Sequence, residues 1–300
     1  MTMDKQISGL DCVELANGAL SLLIPRAVGP RILSLRVAGK QNLLAELPDV
    51  VLDCDEKRRL TLWGGHRLWH APEVPARTYL PDDRRVDILP NPATNALTVT
   101  QAADASQLEK TFTITLPDDS ATVIIDHTLT NRGLWPITCA AWAITQLRTG
   151  GTAILPQHDQ FVDEGGFQAN RALALWPYSD INSPFVQWGN RFIFYRAAMQ
   201  AGAWKVGFPN PVGWLGYWID GQLFMKSAEY DPTASYYDNQ SSSQCYCNQA
   251  FIELETLSPQ VTITPQASIT HRETWHIFNN VPFEPDEEVV AALIEQLNFP

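Results

Sequence analysis

Apolar and polar residues alternate along most of this chain, which is the pattern of half-buried β-strands. In residues 12–24 the pair Asn17-Gly18 separates two apolar runs and predicts a tight hairpin. A second hairpin is predicted around Asp220-Gly221. The same alternation recurs in residues 31–37, 86–89, 96–101, 108–116, 121–130, 137–147, 191–196, 204–207, 250–257 and 269–278. Strands separated by frequent turns in this way predict an all-β fold, a large antiparallel β-sandwich.

Two stretches depart from this alternation. Residues 156–190 are rich in proline and glycine and predict long loops over the sheet. Only the C-terminus predicts a helix, in which Pro285 takes a first-turn position and acidic residues follow it. The apolar stripe of this helix consists of Val289, Val290, Leu293, Ile294 and Leu297. We expect the helix to pack on the edge of the sandwich, and residues 1–300 to form a single domain.

The net charge of the chain and the distribution of its basic residues limit the kinds of molecule that it can bind. The chain has 300 residues and a formal net charge of −12. Its basic clusters do not exceed the run Lys57-Arg58-Arg59, whereas a duplex binder needs a basic stripe that displaces counterions from phosphates. We therefore expect no nucleic acid and no anionic membrane as partner. An acidic protein attracts neutral or cationic ligands more readily than polyanions.

Cysteine usage and the N-terminus indicate a cellular compartment. The five cysteines are an odd number with irregular spacings, and Cys245 and Cys247 do not match the CxxC of a zinc site. Buried reduced thiols are the simplest expectation. The N-terminal residues lack the apolar core of a secretion signal, and the chain contains no apolar stretch of membrane-spanning length. We expect a cytoplasmic protein.

The ten tryptophans are more than an ordinary domain of this size needs. Most of them are expected to fill a large core. Tryptophan also forms flat platforms for sugar rings, because its face is apolar and its edge donates a hydrogen bond. The composition therefore allows one or two tryptophans to contact a carbohydrate.

The first segment with candidate chemistry is residues 63–73, Trp-Gly-Gly-His-Arg-Leu-Trp-His-Ala-Pro-Glu. His66 and His70 can exchange protons near neutral pH, and Arg67 offers a rigid fork of donors. The glycines before the histidines and the Ala-Pro after them predict a loop rather than a helix. That prediction disfavours a metal bound by two histidines on one helix face, and no third ligand is nearby. An ordinary loop with a hydrogen-bonded histidine is the alternative.

The second segment is residues 251–259. In a strand, Glu253 and Glu255 point to the same face, and Ile252, Leu254 and Thr256 point to the other. Two carboxylates on one face of an otherwise apolar strand need solvent, a cation or a hydroxyl-rich ligand. If both are partly buried, one has a raised pKa and can serve as a general acid or base. A wet outer sheet face is the alternative.

Other candidates are scattered along the chain. Lys226 ends an apolar strand, and Tyr237 and Asp238 lie in a loop beyond it, so together they could form a polar rim for a polyol. Arg31 lies inside an apolar run. It is a further candidate for ligand binding, and the alternative is that it simply lies at a sheet edge. The sequence contains no Gly-x-Ser-x-Gly elbow, P-loop or GxGxxG, which weighs against hydrolase, NTPase and Rossmann folds.

In this order, the two segments resemble the galactose mutarotase-like superfamily, which includes the aldose 1-epimerases. The likeness is strongest to a bacterial branch with a Gly-Gly-His-x-Leu-Trp-x-Ala-Pro-Glu loop and a late Glu-Leu-Glu-x-Leu-Ser-Pro strand. These motifs match residues 64–73 and 253–259. Weaker matches over nearly the whole chain are residues 29–34, 129–131 with Pro136, and 271–275.

The resemblance implies a β-supersandwich with a sugar site on one sheet face and without any metal or organic cofactor. It implies that Glu255, in Leu254-Glu255-Thr256, takes the proton from the anomeric hydroxyl. The family's acid histidine falls near Trp142, which has no titrating group. His66 or His70 would then have to supply the acid, if their loop folds over the same face.

Three functions follow from these residues. The first is an aldose 1-epimerase-type isomerase that uses Glu255 with His66 or His70. The second is a non-catalytic sugar-binding or sensing protein, which Trp142 favours. The third, a glycoside-processing enzyme, ranks last, because Glu253 and Glu255 lie too close on one strand to flank a glycosidic bond. In each case the ligand is a small sugar, and the sequence leaves its identity and the oligomeric state open.

Overall fold

Antiparallel β-strands make up most of the chain in the computed structural model, which describes residues 3–54, 58–118, 120–297 and 299. Lys57 of the short basic run lies outside the described residues. The strands are β1 (Met3–Ile7), β2 (Leu10–Ala16), β3 (Leu20–Pro25), β4 (Arg31–Ile32), β5 (Ser34–Val37), β6 (Glu46–Asp53), β7 (Arg59–Ala71), β8 (Asp87–Asn91), β9 (Ala96–Gln101), β10 (Leu108–Thr115), β11 (Thr122–Asn131), β12 (Ile137–Leu147), β13 (Thr152–Pro156), β14 (Ala174–Leu175), β15 (Val186–Gln187), β16 (Phe192–Arg196), β17 (Ala203–Phe208), β18 (Trp214–Ile219), β19 (Gln222–Ala228), β20 (Ser243–Asn248), β21 (Ile252–Leu257), β22 (Val261–Ile263) and β23 (Ser268–Asn279). The helices are α1 (Pro75–Thr78), α2 (Tyr237–Gln240), α3 (Glu287–Gln296) and a 3₁₀ turn at Pro92–Thr94.

The strands form three sheets. Ten strands follow the order β15-β16-β13-β18-β19-β23-β11-β10-β9-β8. Nine others contain the path β14-β17-β20-β21-β12-β7-β4, with β22 beside β12 and β6 beside β7. The smaller sheet has the order β1-β2-β3-β5. The two large sheets face each other, because one continuous apolar core contains Leu254 of β21 together with Phe224 of β19.

This architecture confirms the predicted antiparallel sandwich with a C-terminal helix. The hairpin at Asn17-Gly18 joins β2 to β3, and the one at Asp220-Gly221 joins β18 to β19. The predicted strand at residues 31–37 is divided, because β4 pairs with β7 in the nine-stranded sheet while β5 pairs with β3 in the smaller one. Residues 157–190 are mostly loop, as predicted, and contain only the two-residue strands β14 and β15.

The segment at residues 63–73 is the main correction to the sequence-based prediction of structure. Most of it belongs to β7, a strand of 13 residues in the nine-stranded sheet, instead of forming a loop. The strand changes its neighbour along its length, from β6 at Arg59–Gly64 to β4 at His66 and Arg67. Because alternate residues of a strand face opposite ways, this correction decides where each polar side chain of the segment points.

Gly64 and Gly65 make the change of neighbour possible. Both have positive φ, at 84° and 75°. A Cβ added at Gly65 would lie 2.1 Å from the carbonyl oxygen of Ile32, and one at Gly64 would lie 1.9 Å from that of Ala45. Only glycine allows the neighbouring backbones to approach this closely.

We expect Gly65→Ala to destabilise the protein by several kcal/mol, since it combines left-handed strain of about 1–2 kcal/mol with a clash against backbone. Gly221→Ala is the matched control, because Gly221 has a φ of 74° but nothing within 4 Å of an added Cβ. Gly221→Ala should lower the free energy of unfolding only by the left-handed strain of about 1–2 kcal/mol. Urea unfolding midpoints of both variants measure the difference, and equal losses would show that the close approach at Gly65 is unimportant.

The C-terminal helix begins at Glu287, two residues after the first-turn position that the sequence predicts for Pro285. Pro285 precedes the N-cap residue Asp286, whose side chain accepts hydrogen bonds from the backbone amides of Glu288 and Val289. The helix begins beside β15, the edge strand of the ten-stranded sheet, where Gln187 Nε2 donates to the carbonyl oxygen of Pro285 at 3.0 Å. Its buried Val290 packs on Phe194 and neighbouring residues, on the outer face of the ten-stranded sheet. Among the described residues, none of the helices has the length and apolar character needed to span a bilayer.

Candidate functional site

The candidate site lies on the outer face of the nine-stranded sheet, where β7, β12 and β21 run side by side. In register across them, Arg67, Ile144 and Glu255 form one row. Gln146 lies beside Glu253 in the next row, and β20 and β17 extend the sheet beyond β21. Glu253 and Glu255 therefore share a face, as their spacing predicts.

A pocket of about 350 Å³ opens over these rows, and we call it the outer-face pocket. Its polar and aromatic lining residues are Arg67, Trp69, Glu73, Tyr79, Trp142, Trp176, Tyr178, Lys205, Tyr246, Asn248, Phe251 and Glu253. This size and mixture of aromatic walls with a few polar groups are typical of small-molecule sites.

Glu253 is the buried carboxylate that lines the pocket. Its Oε1 accepts a hydrogen bond of 2.9 Å from Gln146 Nε2 and one of 3.3 Å from an Arg67 guanidinium nitrogen. Burial and the nearby Glu255 carboxylate raise the pKa of Glu253 to about 8, although Arg67 and Lys205 oppose the rise. Near neutral pH this carboxyl can either give or take a proton.

Glu255 lies behind the pocket and has no exposed surface. Its Oε2 accepts hydrogen bonds from Trp142 Nε1 at 2.7 Å and from Lys205 Nζ at 2.9 Å. Trp142 and Lys205 both line the pocket, so they stand between Glu255 and any ligand. The structure thus pairs Glu255 with Trp142 and with a lysine.

Aromatic rings form the walls around these charges. The Arg67 guanidinium lies 3.9 Å from the ring centroid of Trp69. Lys205 Nζ lies 4.8 Å from the ring centroids of both Trp142 and Trp176, close enough for cation–π attraction. Tyr178 is 49% exposed and offers its ring to a ligand.

The expected acid histidines are not on this face. His66, Leu68 and His70 alternate with Arg67 and Trp69 along β7, so the histidines point into the sandwich. His66 is fully buried and His70 is 1% exposed. Neither histidine faces Glu255 across a pocket, which corrects the expectation based on a loop.

His66 belongs instead to a network between the two large sheets, which we call the interior network. His127 Nδ1 donates to the carbonyl oxygen of His271 at 2.9 Å, so in the neutral ring its Nε2 accepts. His66 Nε2 therefore donates to that atom at 2.6 Å, and its Nδ1 accepts from the Thr145 hydroxyl at 2.9 Å. Burial lowers the pKa of both His66 and His127. The two neutral rings have their hydrogen bonds satisfied.

Lys226, expected at a sugar rim, also lies in the interior network. Its Nζ is 2.6 Å from Glu273 Oε1, and both side chains have no exposed surface. Burial alone would raise the pKa of Glu273, but the Lys226 ammonium holds it below its usual range. Ligand atoms of His66, His127 and Glu273 lie within 4.8 Å of one another. The adjacent Lys226 ammonium would repel a metal cation there, so these residues fit a hydrogen-bonded network better than a metal site.

The remaining sequence candidates lie outside the pocket lining. Arg31 is fully buried, pairs with Asp82 at 2.7 Å, and donates to the carbonyl oxygen of Leu62. Tyr237 packs against the apolar cluster of the outer face. The Asp238 carboxylate accepts a hydrogen bond of 2.8 Å from Gln244. Each has a structural partner, and none of the three lines the outer-face pocket.

Lys205 is the residue that sequence reasoning missed. It lies in β17, where Trp204, Val206 and Phe208 fill the core and Lys205 points to the other face. A single lysine in an apolar strand was the available signal, and it is the same signal that singled out Lys226. Only the position of β17, next to β20 in the nine-stranded sheet, brings Lys205 to Glu255.

Comparison with known proteins gives the fold a name. No protein-family model matches the sequence, and no curated protein matches it. Among solved structures, a galactose mutarotase-like protein from Lactobacillus casei ATCC 334 superposes with a TM-score of 0.57 and 12% identity, over 89% of this chain and 100% of the other. A galactose mutarotase related enzyme from Lactobacillus acidophilus gives 0.53 and 7%, over 93% and 98%.

A third similar structure is a TPR-domain containing protein from Parabacteroides distasonis ATCC 8503, with a TM-score of 0.58 and 13% identity. That match covers 92% of this chain and 48% of the other, so this chain spans about half of that protein. At such identities the likeness is one of fold. The chain has the galactose mutarotase-like sandwich fold, and two of these three similar proteins carry mutarotase in their names.

Proposed function

We propose that this protein binds a neutral monosaccharide in its ring form in the outer-face pocket. The observation that carries the proposal is the combination of aromatic walls with the buried carboxylate of Glu253 in one pocket of suitable size. Sugar rings have apolar faces that stack on aromatic rings, and their hydroxyl groups donate to carboxylates. The mutarotase-like fold adds support for a sugar of the aldose class.

The charges in the pocket favour a neutral sugar over a sugar phosphate. Arg67 is paired with Glu253, and Lys205 is paired with Glu255. Among the described lining residues, no further Lys or Arg is present to receive a phosphate, and Glu73 adds a negative charge. A phosphate would have to displace a carboxylate from one of the two cations.

The position of the histidines bears on the kind of chemistry. A Glu255–histidine acid–base pair finds no support, since His66 and His70 both point into the interior of the sandwich. Binding without histidine catalysis is therefore the form of the proposal that fits these positions, and any chemistry in the pocket has to use groups that line it.

The test is a titration of the protein with D-glucose, D-galactose and D-xylose, followed by tryptophan fluorescence, since Trp142 and Trp176 line the pocket. We expect a saturable change for at least one sugar, and binding at least about tenfold weaker for glucose 6-phosphate and galactose 6-phosphate than for the corresponding hexose. Absence of saturable binding over a broad aldose panel would refute the proposal.

Tyr178→Ala should weaken sugar binding about tenfold, because loss of a stacking ring costs about 1–2 kcal/mol. Tyr178 is about half exposed, so its removal should leave the fold intact. Trp135→Ala is the matched control, since Trp135 is 78% exposed and does not line the pocket. Equal sugar affinities of the two variants would show that the sugar does not bind against Tyr178 in the outer-face pocket.

A further inference from the structure

A second cleft, with a volume of about 520 Å³, lies where strand β19 ends. β19 pairs with β23 from Glu273 to Asn279, and residues 268–272 of β23 extend beyond the reach of β19. The cleft opens beside this part of β23, and we call it the β23 cleft. It shares none of its lining residues with the outer-face pocket. Its ionisable lining residues are Asp126, Glu229, Asp231, Tyr236, His271 and Arg272.

His271 lines this cleft although it is only 5% exposed. Its hydrogen bond with Thr256 fixes the tautomer of the ring. The single hydroxyl proton of Thr256 is donated to Glu273 Oε1, so the hydroxyl oxygen accepts from His271 Nε2 at 2.7 Å. Burial lowers the pKa of His271 to about 3, so the ring is neutral near pH 7. Its Nδ1 therefore carries a lone pair and no proton.

This lone pair has no partner in the protein. Among the described residues, none donates a hydrogen bond to His271 Nδ1, and unlike Nδ1 of His70 this atom is not enclosed by protein. Since the β23 cleft is the open space that His271 lines, the lone pair points into it. An almost buried acceptor is costly to leave unpaired, so a hydrogen-bond donor in the cleft is favoured.

The charges around this acceptor are mostly negative. Asp126 and Arg272 neutralise each other through two hydrogen bonds of 2.7 Å. Glu229 and Asp231 are both exposed, and no basic side chain in the described part of the protein pairs with either. Asp231 Oδ1 accepts from the backbone amide and the hydroxyl of Thr233, which leaves Oδ2 for a ligand. Three carboxylates against one guanidinium give the lining two net negative charges, so a cation fits it.

The spacing of the groups favours an organic cation over a metal ion. Ligand atoms bound at about 2.0–2.3 Å from a zinc ion lie within roughly 4 Å of one another. Across the described ranges, the three side chains that come this close are His66, His127 and Glu273 of the interior network, and none of these lines the cleft. A flexible aliphatic ammonium can reach separated acceptors, because its chain spans the distance between them.

We propose that the β23 cleft binds an aliphatic amine whose ammonium group donates to His271 Nδ1 and to the carboxylates of Glu229 and Asp231. An ammonium has three donors and no acceptor, and these three groups offer acceptors only. The Tyr236 ring and Pro259 line the same cleft and offer apolar surface to the methylene chain. The inference goes beyond the proposed sugar binding and does not depend on it.

The experiment is a titration of the protein with putrescine, 1,4-diaminobutane, at pH 7 and low ionic strength, followed by NMR of ¹⁵N-labelled histidines. We expect a saturable shift of the His271 Nδ1 resonance, because this nitrogen accepts a new hydrogen bond, and no comparable shift for His66 or His127. 1,4-Butanediol has the same chain without charge, and tetramethylammonium has the charge without N–H donors. Each should bind at least about tenfold more weakly than putrescine, since each lacks a charge-assisted hydrogen bond.

Glu229→Gln combined with Asp231→Asn should weaken putrescine binding about fivefold, because two exposed carboxylates are lost. Both side chains are exposed, so the variant should remain folded, as its urea midpoint will show. Glu164→Gln combined with Asp49→Asn is the matched control, since both residues are exposed and lie outside the cleft. The control removes the same total charge and should change the affinity less than about twofold.

Three results would each overturn the inference. The first is a His271 Nδ1 resonance that putrescine does not move, whether or not putrescine binds elsewhere. The second is equal weakening of binding in the cleft variant and in its control, which would show attraction by net charge alone. The third is a shift of this resonance by stoichiometric Zn²⁺ and not by putrescine, which would make the cleft a metal site.

Discussion

Lys226→Met is expected to destabilise the protein by about 3–5 kcal/mol, the typical cost of breaking a buried ion pair. Lys226 Nζ lies 2.6 Å from Glu273 and also donates to the Thr145 hydroxyl at 3.0 Å. Methionine fills a similar volume but leaves the Glu273 carboxylate buried without its cation. Thr256 and Trp275 continue to donate to that carboxylate, which offsets only part of the loss.

Urea unfolding at pH 7.5 measures this effect. Arg272→Ala is the matched control, because Arg272 neighbours Glu273 on β23 but points outward, where it pairs with Asp126 at 2.7 Å. As an exposed pair it should contribute no more than about 1 kcal/mol. The double variant Lys226→Met with Glu273→Gln should recover part of the loss, since it removes the unpaired charge. Equal effects of Lys226→Met and Arg272→Ala would contradict the buried ion pair.

Lowering the pH from 7.5 to 5.5 is expected to destabilise the fold by a few kcal/mol. Burial lowers the pKa of His70 and of His271 to about 3 in the folded protein, and it also lowers the pKa of His66 and His127. The unfolded chain binds these protons below a pH of about 6.5, whereas the folded protein does not. Each histidine therefore removes about 1.4 kcal/mol per pH unit between its unfolded and its folded pKa.

One carboxyl acts in the opposite direction. The pKa of Glu253 is raised to about 8, so between that pH and about 4.5 the folded protein binds a proton there that the unfolded chain does not. Lowering the pH from 7.5 to 5.5 stabilises the fold through Glu253 over about two pH units, whereas each histidine acts only below about 6.5, so Glu253 offsets about two of the four histidines. The net change remains a loss of stability.

Urea midpoints at pH 7.5, 6.5 and 5.5 test the expectation. His271→Gln should reduce the pH dependence of the unfolding free energy by about the contribution of one proton. The glutamine amide can still donate to Thr256 but does not titrate. Arg272→Gln, one residue along the same strand, should leave the slope unchanged. A wild-type stability that is flat over this range would show that the buried imidazoles accept protons without cost.

Local pattern was enough to predict several features. Alternation over two residues predicted the strands and the hairpins at Asn17-Gly18 and Asp220-Gly221, because a strand shows its buried face in its own sequence. The same rule placed Glu253 and Glu255 on one face. The fold class followed from the number and spacing of such strands.

The segment at residues 63–73 shows where local pattern fails. Its glycines predict a loop, and in the structure they allow a strand to change neighbours beside the carbonyl oxygens of Ala45 and Ile32. That contact involves strands remote from the segment. Once the segment is a strand, Arg67 and Trp69 line the pocket, while His66 and His70 face the interior.

The sequence by itself determined an antiparallel sandwich, its acidic character, and a pair of glutamates on one face of β21. Only the tertiary structure decided which of the two glutamates lines the pocket, and that the charged partner of Glu255 is Lys205. The two side chains are 50 residues apart and meet because β20 pairs with both β17 and β21. Pairing between distant strands is set by the packing of the whole sandwich, and the local alternation of apolar and polar residues does not reveal which strands pair.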